Sequence, residues 1–303
     1  MVLSFTHSKT LDGSIMAKDI HWFPGHMAKA TREIEERVKL VDLIIELRDA
    51  RAPLSTANPL IGAIKNKPHL IILTKIDMAD PKETDKWVKA LKNDNQECMA
   101  LNLTQFNAYQ QIVTVSKKLL AEKMAKEQAR GLKPRPVRAM VVGIPNVGKS
   151  TLINRLAKRK ATVTGDKPGV TKSQQIIKVD RDFELFDTPG ILWPKFDDRD
   201  VAMHIALCGS IKSTILPHDE IFIYAMQFLH QYYPEYLKER YSLEIDMEDE
   251  NWIENTFNHI SKMRHFQKVR GEIDYDRIME LVFNDILKAS IGRITWQRYE
   301  SQN

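Results

Sequence analysis

Gly143, Gly148, Lys149 and Ser150 stand at the spacing GxxxxGK[ST] within the run Gly143-Ile-Pro-Asn-Val-Gly-Lys-Ser-Thr151. An apolar run, 138–142, precedes it and a helix-like run, 151–157, follows, which is the setting in which this spacing has physical meaning. The glycines let successive backbone N–H groups close around phosphate oxygens, and the start of the following helix adds partial positive charge. Asn146, Val147, Gly148, Lys149, Ser150 and Thr151 would line the cradle. Lys149 would reach the β- and γ-phosphates, and Ser150 would give its hydroxyl to Mg²⁺. The chain is expected to bind a nucleoside triphosphate.

The base is addressed by Thr74-Lys-Ile-Asp77, which follows the apolar run 69–73. It resembles the Asn-Lys-x-Asp loop that reads guanine, with threonine in place of asparagine. A carboxylate at Asp77 accepts from guanine N1–H and the 2-amino group, and adenine would leave it unpaired. Lys75 would lay its alkyl stem over the base plane, and Thr74 keeps one polar group there. Asn102 and Leu103, after a third strand, supply a further base contact. Downstream, Asp187-Thr-Pro-Gly190 has the form DxxG. Asp187 would hold Mg²⁺ through water, the Gly190 N–H would face the γ-phosphate, and Thr171 would complete the metal shell.

The order of these segments is itself a signal, because the base-reading loop lies about seventy residues before Lys149. The same sheet is rebuilt if the original ends are joined and the chain is reopened between DxxG and the base loop, which nearby termini make tolerable. Lys126 to Pro136 is the expected join.

These residues must be positioned by alternating strands and helices. Strands are expected at Val41–Leu47, His69–Leu73, Glu97–Leu101, 138–142, Gln174–Val179 and Phe183–Phe186. Helices are expected at Ala28–Lys39, Asn58–Asn66, Pro81–Asn93 and Tyr109–Arg130. This alternation predicts an α/β fold, with a doubly wound, mostly parallel six-stranded sheet carrying ligand loops at the strands' carboxyl ends. From Asp200 the pattern is helical only, with helices expected at 219–230, 250–263 and 275–288. The organisation expected is therefore an extension at 1–19, a nucleotide domain at 20–199 and an all-α C-terminal domain at 200–303. The extension lacks the charged start and apolar core of a signal peptide, and Met16 opens a second plausible start.

Composition bounds the rest. At 303 residues, 43% hydrophobic and 28% charged, the chain is globular. No apolar run is long enough to span a bilayer. Its two cysteines, Cys98 and Cys208, are isolated, which fits a reducing, cytoplasmic setting. A net charge of +5 leans toward an anionic partner such as nucleic acid. Lys262, Arg264, His265, Lys268 and Arg270 form a basic cluster, and Arg293 and Arg298 flank Trp296. Such groups bind phosphates and stack on bases, though interspersed acids also fit a solvated helical surface.

Trp22–Lys29, Asp49–Pro53, Gly143–Thr151 and Asp187–Pro194 together resemble the circularly permuted GTPases, most closely the members that act in ribosome biogenesis. The resemblance runs from about residue 20 to the end. It implies a circularly permuted P-loop GTPase domain that binds GTP and GDP with Mg²⁺. It also implies action late in assembly of the large (50S) ribosomal subunit, with the precursor particle bound in the GTP state and released after hydrolysis. The helical domain would contact ribosomal RNA. Ile191 follows DxxG where a glutamine usually orients the attacking water, and an isoleucine cannot hydrogen-bond water. The resemblance places Pro24-Gly-His26 near the phosphates, so His26 is the candidate catalytic residue. In several GTPases with this P-loop pattern the residue at Asn146 helps hold K⁺, which makes it a candidate K⁺ ligand. The missing glutamine keeps a second reading open: a nucleotide-gated switch for RNA or protein, with negligible turnover of its own.

Overall fold

The structure is a computed structural model that describes residues 32, 34–58, 61, 64, 66–133, 135–157, 163–164, 176–179, 181–187, 198–211, 216–269 and 271–300. His26, Thr171, Gly190, Ile191 and the extension 1–19 lie outside the described residues, as does the side chain of Asp187.

Seven strands form one sheet: β1 (Leu43–Asp49), β2 (His69–Thr74), β3 (Gln96–Ala100), β4 (Val137–Val142), β5 (Val163–Thr164), β6 (Ile176–Lys178) and β7 (Phe183–Asp187). Their order is β3-β2-β1-β4-β7-β6-β5. The first five in that order are parallel, and β6 and β5 run antiparallel at one edge. Six are the strands expected; the seventh is the two-residue β5.

The central strands are nearly continuous apolar runs because both faces are covered. Side chains alternate across the sheet, so each strand feeds two cores. Leu43, Ile45, Leu47, Leu70, Ile72, Ala139, Val141, Phe183 and Leu185 pack on one face. On the other face Ile44, Met140, Val142 and Phe186 enter one cluster, while Ile71 and Leu73 enter another.

Helix α1 (Pro81–Ala90) is started by Asp80, whose carboxylate accepts from the N–H groups of Lys82 and Glu83, with Pro81 in the first turn. The single long helix expected at Tyr109–Arg130 is two, α2 (Ala108–Leu119) and α3 (Ala121–Ala129). They part at Leu120, whose φ of −98° and ψ of 1° leave the helical well while its side chain is buried in the sheet core. Of the helix expected at Asn58–Asn66 only Asn58, Ile61, Ile64 and Asn66 are described; there Ile61 N–H bonds Asn58 O and Ile64 N–H bonds Ile61 O, a three-residue spacing. The join between the two halves of the permuted order is pinned at its end. Arg135 donates to both carboxylate oxygens of Asp42, at 2.7 and 2.8 Å, and Lys123 donates to the same group at the start of β1.

After β7 the described elements are helical: α5 (Arg199–Leu207), α6 (His218–Tyr232), α7 (Pro234–Tyr241), α8 (Trp252–Arg264) and α9 (Tyr275–Leu287). (α4 is the P-loop helix, Lys149–Ala157.) Ile221, Phe222, Ala225, Met226 and Leu229 line the buried face of α6, as the helical period predicts. Helix α5 is the seam: Ile205 enters the sheet core, and Met203, Leu207 and Cys208 enter the helical core.

Candidate functional site

The P-loop begins where β4 ends. A Cβ on Gly143 would lie 2.7 Å from Val147 Cγ2 and 3.0 Å from the Leu47 carbonyl oxygen, so only glycine fits under the buried Val147. The loop then turns through positive φ at Asn146 (61°) and Gly148 (105°) before α4 starts at Lys149. Ser150 and Thr151 sit exposed in the first turn, where unpaired N–H groups gather. Strand β7 is the parallel neighbour of β4 and places Asp187 opposite Val141, so the DxxG aspartate leaves the sheet beside the P-loop.

Thr74, at the end of β2, is buried and its hydroxyl lies 2.7 Å from the Val147 carbonyl and 3.0 Å from the Arg48 carbonyl. One hydroxyl proton serves the shorter contact, which ties the base loop directly to the phosphate loop. The polar group expected at the guanine edge is therefore committed to the P-loop. Lys75 adopts φ 55° and sets its ammonium 3.0 Å from Asp49 Oδ2. Asp77 is exposed, and its carboxylate takes no hydrogen bond among the described residues. The side chain of Asn102 folds onto its own loop: its Oδ1 accepts from the Thr104 N–H at 2.8 Å and hydroxyl at 2.7 Å. Leu103 is buried against Gly148, where a Cβ would meet its Cδ1 at 2.9 Å. Thr74, Lys75, Leu103, Asn146, Gly148 and Lys149 are thus brought together at one edge of the sheet.

Sequence reasoning assigned no role to Asp49 and Arg51, which anchor this edge. Asp49, wholly buried at the end of β1, accepts from the Arg51 backbone N–H at 3.0 Å, from Nε at 2.9 Å and from Nη2 at 2.8 Å, beside its pair with Lys75. Burial pushes this carboxyl up, but the Arg51 and Lys75 cations outweigh it and hold it at about 2. Arg51 Nη2 also donates to the Cys208 carbonyl at 2.8 Å, and Asn146 Nδ2 donates to the Gly209 carbonyl at 2.9 Å. A strand ending in acid–x–base, with no solvent-facing partner nearby, was the available signal.

Known proteins similar to this chain share one description. The family described as "50S ribosome-binding GTPase" matches residues 138–235. Ribosome biogenesis GTPase A of Bacillus pumilus is 45% identical over 283 residues, covering 93% of this chain and 99% of the relative. That of Priestia megaterium is 48% identical over 279 residues, covering 91% and 96%. The chain belongs to the ribosome biogenesis GTPase A family. Among solved structures, GNP-bound YlqF from T. maritima is 27% identical with a TM-score of 0.60, covering 89% of this chain and 98% of that one. A GDP-bound YlqF gives 26% and 0.63, covering 88% and 99%. Membership makes the chain a GTP-binding P-loop hydrolase.

For a ribosome biogenesis GTPase A relative, the tail is placed unexpectedly. Trp296, read from sequence as a base-stacking platform, is buried at 1% exposure against Phe228. Arg293 donates to the Ile76 carbonyl at 2.6 Å and the Ala79 carbonyl at 2.9 Å, and Arg298 donates to Glu83 at 3.1 Å. Arg293 and Arg298 thus hold to the nucleotide half, and Trp296 packs in the helical core. By contrast, Lys262, His265 and Lys268 are exposed at and just beyond the end of α8, while Arg264 donates to the Arg240 carbonyl at 3.4 Å. A third tie between the halves is buried: Ser55 Oγ lies 2.8 Å from His204 Nδ1, and Tyr224 OH lies 2.9 Å from His204 Nε2. Burial lowers this imidazole to about 4, so it bridges in its neutral form.

Proposed function

We propose that this GTPase hydrolyses GTP to time a late step in assembly of the large (50S) ribosomal subunit, gripping the precursor particle in the GTP state and leaving it after hydrolysis. The observation that carries the guanine-nucleotide part is the 2.7 Å contact from Thr74 to the Val147 carbonyl. It makes phosphate cradle and base reader one unit, although they arrive in reversed chain order. Asp77 then stands free for the guanine edge and Lys75, fixed by Asp49, covers the base plane. The ribosomal part is supported by the names of the relatives and by the exposed basic end of α8, whose Lys262, His265 and Lys268 suit RNA phosphates.

Mg²⁺ fits the residues present. Ser150 opens α4 and Asp187 ends the adjacent parallel strand, a sparse protein set suited to an ion held largely by phosphate oxygens and water. When bound, it neutralises charge on the β- and γ-phosphates. Thr171 would complete its shell and Gly190 would face the γ-phosphate. His26 would orient the attacking water in the absence of a glutamine at Ile191. K⁺ beside Asn146 would add positive charge at the phosphates, held through Asn146 Oδ1 while Nδ2 donates to the Gly209 carbonyl. The division at 199/200, with a helical RNA-binding half, and a cytoplasmic setting belong to the same reading; no helix among the described residues is long and apolar enough to cross a membrane.

Co-sedimentation with large-subunit particles tests this. The protein loaded with a non-hydrolysable GTP analogue should pellet with them and the GDP-loaded protein should not. Equal binding in both states overturns the timing role. A turnover rate that the particles leave unchanged would favour the switch with negligible hydrolysis.

A further inference from the structure

The segment 293–299 runs back from the helical half across the loop that carries Asp77. Gly292 starts it at φ 141°, where a Cβ would stand 2.4 Å from the Tyr236 ring. The contacts that follow form a ladder. Arg293 spans the Ile76 and Ala79 carbonyls on either side of Asp77, and Ile294 N–H bonds the Met78 carbonyl at 3.0 Å. Thr295 Oγ1 accepts from the Asp80 N–H at 3.1 Å, and Trp296 N–H bonds the Arg51 carbonyl at 2.7 Å. Gln297 then caps the Leu54 and Ser55 N–H groups through Oε1, at 2.6 and 3.1 Å, and takes the Trp87 indole N–H on its carbonyl at 2.7 Å.

A loop of five residues, 76–80, thus has the carbonyls of Ile76, Met78 and Ala79 and the N–H of Asp80 satisfied by the tail. Within the loop itself the Met78 N–H bonds the Lys75 carbonyl at 2.9 Å. Ala79 is buried with Ile76 packed beside it and Asp80 caps α1, but Asp77 itself is an exposed residue on a turn, and turns are the cheapest part of a fold to rearrange.

We propose that this tail is a working strut of the guanine site, with Arg293 as a positioning residue that holds the backbone on both sides of Asp77. It rests on the reading of Asp77 as the base-reading carboxylate. The strut acts on base recognition and leaves the phosphate loops alone, so its loss shows in nucleotide retention and base discrimination. The guanidinium suits the task because its planar fork reaches two carbonyls at once, where an ammonium is a single point charge.

The test uses the full-length protein and fluorescent GDP and IDP, since inosine lacks the 2-amino group that Asp77 would recognise. Arg293→Ala should raise GDP dissociation about tenfold, the worth of one charge-assisted hydrogen bond, and should shrink the GDP-over-IDP preference. It should raise KM for GTP far more than it alters kcat. Arg293→Lys, able to serve one carbonyl, should recover part of the loss. Thr295→Val, which removes the acceptor for Asp80 N–H, should move the same quantities in the same direction should Arg293→Ala not fold. A folded Arg293→Ala with unchanged GDP dissociation overturns the proposal. So does an equal loss of GDP and IDP, which marks a merely structural contact. Asp77→Asn is measured separately: if it leaves the GDP-over-IDP preference intact, the base-reading assignment fails on its own, whatever Arg293 does.

Discussion

Replacing Asp49 by asparagine keeps its shape and removes the charge that Arg51 and Lys75 share. The carboxyl stands at about 2 in the fold against an ordinary 3.8. Because the folded value is the lower one, the stabilisation is present above about pH 3.8 and is lost as pH falls through about 2. At roughly 1.36 kcal/mol per pH unit this difference amounts to about 2.5 kcal/mol. Asparagine also leaves two buried or half-buried cations without their counter-charge, and removing one partner of a buried pair costs about 3–5 kcal/mol. Asp49→Asn should therefore lose about 3 kcal/mol, or roughly 6–12 °C in melting temperature at ~2–4 °C per kcal/mol. Urea unfolding of the nucleotide-free chain at pH 7, repeated down to pH 2.5, measures both quantities. The variant should also show a shallower fall in stability at the acid end than the wild type, the remainder belonging to carboxylates such as Asp42, which Arg135 and Lys123 hold low. A loss under about 1 kcal/mol, or an identical acid limb, would refute the assignment of Asp49 as the anchor of this edge. GDP binding should weaken in parallel, since Lys75 loses its tether.

The other predictions are shorter. His204, held neutral at about 4 by burial against an ordinary 6.5, has a lowered folded pKa, so its contribution is full above 6.5 and falls away toward 4. The wild type should lose up to about 3 kcal/mol across that window, His204→Gln should not, and matching pH profiles of urea stability would contradict a neutral buried bridge. Gly143→Ala would push a methyl to 2.7 Å from Val147 Cγ2, costing about 1–3 kcal/mol and lowering GTP affinity at least about tenfold in equilibrium titrations; wild-type affinity would show that the loop does not need this close approach. His26→Ala should cut kcat at least about tenfold, some 1.4 kcal/mol of barrier, while GTP affinity holds; normal turnover removes His26 from the chemistry. Turnover in KCl should exceed that in NaCl, an advantage that Asn146→Ala abolishes, and equal rates in the two salts exclude the K⁺ role.

Much of the phosphate site could be read from the chain because its geometry is local. The spacing from Gly143 to Ser150 dictates a loop that only glycines can turn, and apolar alternation fixes the strands on either side. The doubly wound, mostly parallel sheet was legible for a related reason: strands and helices alternate along the chain, and the permuted motif order still closes into one such sheet. What escaped were pairings between distant residues. Arg293, Trp296 and Arg298 look like an exposed nucleic-acid surface by composition, and only the fold reveals that Glu83 and the loop 76–80 are waiting for them. The tie from Thr74 to the P-loop was not legible, since nothing local says that the Val147 carbonyl will lie 2.7 Å away. Leu120 ended a helix that propensity would have carried on, because its side chain is worth more in the sheet core.

The helical half therefore touches the nucleotide machinery from two directions. On the phosphate side, the carbonyls of Cys208 and Gly209 receive Arg51 and Asn146. The helical half returns at Arg293 on the base side. The two attachments are linked by one packed core: Leu207 and Cys208 at one end, Ile291, Ile294 and Trp296 at the other, with Phe222 and Val282 fully buried between. Close-packed interiors transmit displacement rather than absorb it. Were α5 to shift on loss of the γ-phosphate, the displacement would break the Asn146 contact or reach the tail and, with it, the loop around Asp77. Permutation makes this arrangement available, because it frees the chain after DxxG to run into a further domain. The phosphate side and the base side of the site are, in this fold, tied to one packed core.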